Sequence, residues 1–208
     1  GNVLPIHENP LRVAEEIAMI DILSGGRVVC GFVRGIGQES IATNTNPIYN
    51  RERFDEAHNV IIKAWTTPGP FRWEGKHYQY RVVNPWVMPL QKPHPPIGVA
   101  GVSPNSPTLK LAGKFGWIPM SINIVPMETL KSHWEAVESG ATASDRTANR
   151  SEWRIAREVY VAETTALARK EALEGVLSRD FEQYFLRLMP RMKMLDLFKV
   201  DPDMADSD

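Results

Sequence analysis

Hydrophobic and polar positions along the chain switch between a helical and an extended period. Val13, Ile17 and Ile20 recur at i, i+4 and i+7 behind Asn9-Pro10, which predicts a helix capped by Asn and opened by Pro. Ser24-Gly25-Gly26 stops it. Arg27-Val28-Val29-Cys30-Gly31-Phe32-Val33 follows as an almost unbroken apolar run, the pattern of a strand buried on both faces in a parallel sheet. The succession then repeats. Phe54, Ala57, Ile61 and Ala64 form a second helical stripe after Asn50, ended by Pro68-Gly69-Pro70. Pro96 to Gly101 reads as another buried strand, Ser103 to Phe115 as a loop and helix, and Trp117 to Ile124 as a short strand. Pro126 opens a helix with Met127, Leu130, Trp134 and Val137 on one face. Trp153 to Val161 predicts a strand and Thr165 to Leu177 a helix, while Val3-Leu4-Pro5-Ile6 reads as a strand end.

Three segments depart from this rhythm. Residues 71–95 hold Phe71, Trp73, Tyr78, Tyr80 and Trp86 among several prolines, which predicts an ordered excursion with a hairpin. Residues 139–151 are small and polar and read as the weakest-ordered interior stretch. Phe181, Tyr184, Phe185, Leu188, Met192, Leu195 and Phe198 form an apolar stripe that suits packing over the fold or a partner. The acidic tail from Asp201 is expected to fray.

About five strands thus alternate with helices, which implies an α/β fold with parallel strands and right-handed crossovers. An open doubly wound sheet and a (β/α)₈ barrel both fit. The barrel needs eight strands and about 250 residues, and the chain has 208. Hydrophobic residues make up 43 %, enough for a sizeable core. Lys+Arg number 24 and Asp+Glu 25, a formal charge of −1, so no basic excess marks a nucleic-acid binder. No apolar run reaches the ~20 residues of a membrane span. Gly1-Asn2-Val3-Leu4-Pro5 lacks the pattern of a signal peptide. One cysteine, Cys30, permits neither an internal disulfide nor a cysteine-based zinc site, and a cytoplasmic setting is the expectation.

Arg34 follows the buried run 28–33. A guanidinium at the C-terminal end of a parallel strand sits on the rim where such folds bind ligands, and it suits a phosphate or carboxylate. A structural ion pair is the competing reading. Gly35 and Gly37 permit close backbone approach but form no dinucleotide-binding GxGxxG motif. Gly101-Val102-Ser103-Pro104-Asn105-Ser106 lies between a strand and a helix and offers an anion site, against ordinary capping by Ser103 or Ser106. The five histidines, His7, His58, His77, His94 and His133, show no metal-binding spacing. His58 reads as a surface or capping residue, His94 as a loop former and Cys30 as a small core residue. Glu15-Glu16 reads as a solvated face plus a buried polar contact.

Several short segments, in order, resemble the luciferase-like flavin monooxygenases, the family of bacterial luciferase. They are Val3-Leu4-Pro5-Ile6-His7, Asn9 to Glu16, Asp21 to Arg27, Gly31-Phe32-Val33-Arg34-Gly35, Arg51 to Ala57, Glu74-Gly75-Lys76-His77-Tyr78 and Pro89 to Ile97. The resemblance implies a (β/α)₈ TIM-barrel type fold of which this chain holds about five strands, the third to the seventh. Residues 1–178 would be this partial barrel and 179–208 a helical extension with an acidic tail. It also implies reduced FMN as cosubstrate, with O₂, to oxygenate a small organic substrate. A separate flavin reductase and a homo-oligomer go with it. Carried over residue by residue, Arg34 and the turn Gly101, Val102 and Ser103 would contact the flavin phosphate, and Asn2 would lie by the isoalloxazine ring. Many relatives have an aromatic residue near Ser40, where this chain has a hydroxyl. No catalytic residue is assigned, because the family's usual catalytic His follows the second strand. Two alternatives stand: a deazaflavin-dependent oxidoreductase of the same superfamily, and a non-catalytic flavin-binding reduced barrel. Five strands do not close such a barrel, so the expectation is a fragment of a longer enzyme or a reduced form completed by oligomerisation.

Overall fold

The computed structural model describes residues 1–191, 194–201 and 203–204. Met192 of the aromatic stripe, and Pro202, Ala205, Asp206, Ser207 and Asp208 of the tail, lie outside the described residues. The strands are β1 (Asn2–Val3), β2 (Cys30–Val33), β3 (Phe71–Glu74), β4 (Gln79–Val83), β5 (Ile97–Gly101), β6 (Ile118–Ser121) and β7 (Arg154–Ile155). The helices are α1 (Pro10–Leu23), α2 (Gln38–Ala42), α3 (Asn50–Thr66), α4 (Pro107–Phe115), α5 (Met127–Thr142), α6 (Thr165–Glu174), α7 (Val176–Asp180) and α8 (Leu186–Leu188). Five strands share a sheet in the order β1-β2-β5-β6-β7, with β1/β2, β2/β5 and β6/β7 parallel. β3 and β4 form a separate antiparallel hairpin, as the sequence predicts for 71–95. The chain divides into two compact units, Gly1–Val99 and Ala100–Asp208.

In the first unit, Asn9 accepts a hydrogen bond from Leu11 N and Pro10 opens α1, as expected. The buried face of α1 is Val13, Ala14, Ile17, Ala18 and Asp21; Ile20 is half exposed. A carboxylate displaces the isoleucine from the interior because it is fully hydrogen-bonded there. Gln91 donates from its backbone N to Asp21 Oδ2 at 2.9 Å and from Nε2 to Oδ1 at 2.7 Å. Burial pushes the Asp21 carboxyl up, but the hydrogen bonds from Gln91 and its neighbours outweigh it and the net shift is downward. The stripe Phe54, Ala57, Ile61, Ala64 is buried on α3 as expected. Phe32 of β2 stacks on Trp65 with centroids 6.2 Å apart and meets His58 edge-on. Each such ring contributes about 1.5–3 kcal/mol through burial. His58 is therefore a core residue rather than a surface one. β2 is shorter than the apolar run, since Val29 stands exposed, and only Cys30 and Phe32 are buried within it. β5 is the strand buried on both faces. Glu15 and Glu16 are both exposed, without the buried contact expected of them.

In the second unit, Ser106 caps α4 and Gly116, at φ 70°, ends it in the left-handed conformation. α4 and α5 cross closely through two glycines. A Cβ on Gly113 would stand 1.9 Å from the Val137 carbonyl oxygen, and one on Gly140 1.9 Å from that of Lys110. This corrects the reading of 139–151 as weakly ordered. Residues 139–142 are the last turn of α5, and they are small because the helices touch backbone to backbone. β7 is also shorter than 153–161, and Val159 and Val161 are exposed. It lies at the edge of the sheet order, so one side alone pairs it, and Arg157 leaves the extended path for the loop after β6. The helix expected over 165–177 breaks at Gly175 into α6 and α7.

Candidate functional site

Both units present loops at the C-terminal ends of parallel strands, the rim where α/β folds hold ligands. In the first unit that rim follows β2. Arg34 is exposed and makes no hydrogen bond or close ion pair among the described residues, and its charge acts at longer range on Asp55. Gly35 has φ 78°, and a Cβ there would lie 2.8 Å from Val3 Cγ1, which accounts for its glycine. Ile36 N donates to Glu39 Oε2 at 3.1 Å, turning the chain into α2. Ser40 is buried and donates to Asn50 Oδ1 at 3.0 Å. Its hydroxyl fastens α2 to the start of α3 and is not offered to a ligand.

Arg51, in the first turn of α3, is electrostatically coupled to Arg34. Burial holds the Arg51 guanidinium below its ordinary value, the Arg34 charge lowers it further and Asp55 opposes both. Burial in turn raises Asp55, against the pull of Arg51 and Arg34. Asp55 thus lies within electrostatic reach of both guanidinium groups. Sequence reading quoted Arg51 only as part of a family segment. The signal it missed is electrostatic, because a cation in the first turn of a helix opposes the macrodipole. Asn2, half-buried on β1, pairs in register with Phe32.

In the second unit the turn after β5 carries Gly101, Val102 and Ser103. A Cβ on Gly101 would lie 2.4 Å from Leu109 Cδ1, so helix packing is what requires this glycine. Ser106 caps α4, its Oγ accepting from Leu109 N at 3.4 Å, which leaves the exposed Ser103 hydroxyl outside the cap. The Ser103 carbonyl is held from below by His133, which is fully buried on α5. His133 Nε2 lies 3.0 Å from Ser103 O, and Nδ1 lies 2.9 Å from Ser121 Oγ. Trp153 Nε1 donates to that same Oγ at 2.9 Å, so the hydroxyl proton goes to Nδ1 and the imidazole donates through Nε2. Burial lowers the His133 pKa, with the Ser103 and Val102 carbonyls opposing, and the ring is neutral near pH 7. His133 is a second residue that spacing rules overlooked, because its partners come from two other segments.

Two sulfur and imidazole groups fall outside this chemistry. Cys30 is buried, its Sγ 3.2 Å from the Pro96 carbonyl, and burial pushes its thiol up to about 12. His94 Nδ1 lies 2.8 Å from the Pro95 carbonyl, shaping the proline-rich loop as expected.

The luciferase-like monooxygenase family model matches this sequence over residues 2–202. The chain belongs to that family. It is 27 % identical over 239 residues to 3,6-diketocamphane 1,6-monooxygenase of Pseudomonas putida, covering 100 % of this chain and 62 % of that protein. It is 33 % identical over 181 residues to limonene 1,2-monooxygenase of Rhodococcus erythropolis, covering 84 % of this chain and 45 % of the relative. Among solved structures, the oxygenating constituent of 3,6-diketocamphane monooxygenase from Pseudomonas putida, a type II Baeyer–Villiger monooxygenase in complex with FMN, superposes with a TM-score of 0.82. That match is at 26 % identity and covers 100 % of this chain and 61 % of that one. An F420-dependent secondary alcohol dehydrogenase shares the fold at 21 % identity and a TM-score of 0.65. The chain spans less than two thirds of the length of these relatives. Its α/β fold is a partial luciferase-like (β/α)₈ barrel with five parallel strands, as the family resemblance implies. No helix among the described residues is long and apolar enough to cross a membrane.

Proposed function

We propose that the chain is the central part of an FMN-dependent monooxygenase in which Arg34 and Arg51 hold the flavin phosphate. The observation that carries this reading is the guanidinium of Arg34. It stands at a strand end, without a hydrogen bond or close ion pair among the described residues, and within electrostatic reach of Arg51 and Asp55. A dianion relieves the repulsion between two guanidinium groups, and charge-assisted hydrogen bonds to phosphate are the contacts that arginines make best. The residues present fit the cofactor. The same reading gives the turn Gly101, Val102 and Ser103 a phosphate contact of its own, through backbone N–H groups and the exposed Ser103 hydroxyl. His133 keeps that turn in place by holding the Ser103 carbonyl, and Asn2 borders the ring end. Bound reduced FMN supplies the electrons for O₂ chemistry; the protein's part is to position it and keep water out.

The relatives' names support two further parts of the proposal. Those compared above act on diketocamphane and limonene, which favours a neutral cyclic organic substrate here. One is named an oxygenating constituent, and a trigonelline monooxygenase relative an oxygenase component. A separate flavin reductase therefore belongs to the reading, and the homo-oligomer that the family resemblance implies is kept as part of the proposal.

Anaerobic titration with reduced FMN, riboflavin and a deazaflavin tests it. Arg34→Ala and Arg51→Ala are each expected to weaken FMN binding roughly 10- to 100-fold, as for a lost hydrogen bond to a charged group, and to leave riboflavin binding unchanged. Equal losses for FMN and riboflavin overturn the phosphate assignment. Tighter binding of the deazaflavin than of FMN moves the chain to the hydride-transfer branch.

A further inference from the structure

Within the first unit a cavity of about 220 Å³ opens beside the last turn of α3, between α1 and the chain that leaves β4. The helical rise along α3 from Arg51 to Trp65 is about 21 Å, so the cavity is remote from the arginines of the rim. Its floor is Ala14 of α1, Ala64 and Trp65 of α3 and Val83 of β4, all buried. These elements are tied to one another. Trp65 Nε1 donates to the Ala14 carbonyl at 2.9 Å, and Tyr80 Oη of β4 donates to Asn9 Oδ1 at 3.1 Å. The walls are therefore fixed before a ligand arrives, which lowers the entropic cost of binding.

Three polar side chains line the cavity, Asn9, Glu15 and Asn84, all of them exposed. The Glu15 carboxylate makes no hydrogen bond or ion pair among the described residues, since Arg12 Nε turns to Glu16, at 2.9 Å. Among the described residues, no Lys, Arg or His lines the cavity. The N-terminus of α1 lies beside it but offers no anion site. Pro10 has no N–H, Leu11 N is taken by Asn9 Oδ1 at 3.2 Å, and Arg12 N by the Asn9 carbonyl at 3.1 Å.

We infer that this cavity is a second binding site, remote from the rim, for a small organic monocation with an apolar body and a primary ammonium. The apolar body lies on the floor, and the ammonium faces the Glu15 carboxylate, with the Asn84 side-chain carbonyl as a further acceptor. Three features lead to it. A buried apolar floor with a few polar groups is the composition of small-molecule sites. The volume falls below the roughly 300–1,000 Å³ that drug-sized ligands occupy, which limits the ligand to a compact one. The one charge in the lining is negative and unpaired among the described residues, which favours a cation and disfavours an anion. The site belongs to the first unit alone and is independent of the flavin reading. Glu15 thereby acquires a use that neither packing nor an ion pair gives it.

The test is methyl NMR on the full chain, with 2-phenylethylammonium as the cation and phenylacetate as an anion of similar size. The ammonium is expected to shift the methyl signals of Leu11, Val82 and Val83 saturably, with a Kd of about 1 mM or tighter, within reach of a ligand this small. Phenylacetate should bind at least about tenfold more weakly. Glu15→Gln should lower ammonium affinity about three- to fivefold, the upper range for a solvent-exposed ion pair. Ala64→Leu, which adds volume to the floor, should lower it about tenfold or more. Circular dichroism checks that this variant folds, and Glu15→Gln, at an exposed helix position, carries the test where it does not. Shifts that lie elsewhere or fail to saturate overturn the site, as does unchanged affinity in folded Ala64→Leu. Equal binding of phenylacetate, or unchanged affinity in Glu15→Gln, overturns the ligand class. Competition between the ammonium and FMN places the ammonium at the rim and overturns the second site.

Discussion

The two compact units hold themselves together by different means. In Gly1–Val99, polar side chains reach across long stretches of sequence to pair with backbone. Arg53 donates to the carbonyls of Pro5 and His7, at 2.6 and 3.0 Å. Glu56 accepts from His77 N, Tyr78 N and Trp73 Nε1. Asp21 accepts from both ends of Gln91. In Ala100–Asp208 such bonds also occur, from His133 to the Ser103 carbonyl and from Arg157 to the Asn123 and Val125 carbonyls, but the α4–α5 contact rests on missing side chains, since Gly113 and Gly140 let the helices meet backbone to backbone. The difference teaches where a family signature comes from. Five of the seven segments that carry the resemblance supply one partner of these bonds, so the signature there is mainly one of architecture. Arg34 stands apart, because no hydrogen bond among the described residues uses its guanidinium.

This contrast can be broken at its strongest point first. Gly140→Ala places a Cβ 1.9 Å from the Lys110 carbonyl oxygen and 3.1 Å from Lys114 N. It is expected to cost about 3 kcal/mol, the upper end for overpacking, with hydrogen-exchange protection lost in α4 and α5 and retained in α1 and α3. Equal loss in both units would show that they unfold as one.

Acid tests the buried histidines of both units. Burial lowers the His58 pKa to about 4, opposed by a hydrogen bond to Asn59, with His94 adding to the depression. His133 is lowered in the same sense. A histidine depressed in the folded state contributes stability above its unfolded pKa near 6.5, and that stability is lost as pH falls. For His58 the loss is expected to reach about 3 kcal/mol by pH 4. Denaturant melts of wild type and His58→Gln between pH 7 and 4 check it. Parallel curves would remove His58 as the cause.

A smaller effect is expected at Glu56→Ala, which strands three donors at the hairpin and should cost about 2 kcal/mol. Glu56→Gln, which keeps an acceptor, should recover part of it in the same denaturation assay. Smallest is Arg12→Ala, because the Arg12–Glu16 pair at 2.9 Å is largely solvated. Its effect should stay under about 0.5 kcal/mol, and a larger one would mean that surface pairs also hold the first unit.

The sequence by itself determined the alternation of strands and helices, the hairpin in 71–95, the cap at Asn9, the stripe on α3, the family and the position of Arg34 after a buried strand. These rest on local periodicity and on short motifs, which a linear reading registers directly. The tertiary structure alone decided that Asp21 and not Ile20 faces inward on α1, and that His58 belongs to the core. It also decided that the small residues of 139–142 are a helix contact, that Arg51 feels the charge of Arg34, and that His133 holds the turn at Ser103. Each of these depends on a partner far away in the chain. The burial of a carboxylate, a neutral imidazole or a bare glycine is favourable only once that partner is in place, and spacing along one segment carries no record of it.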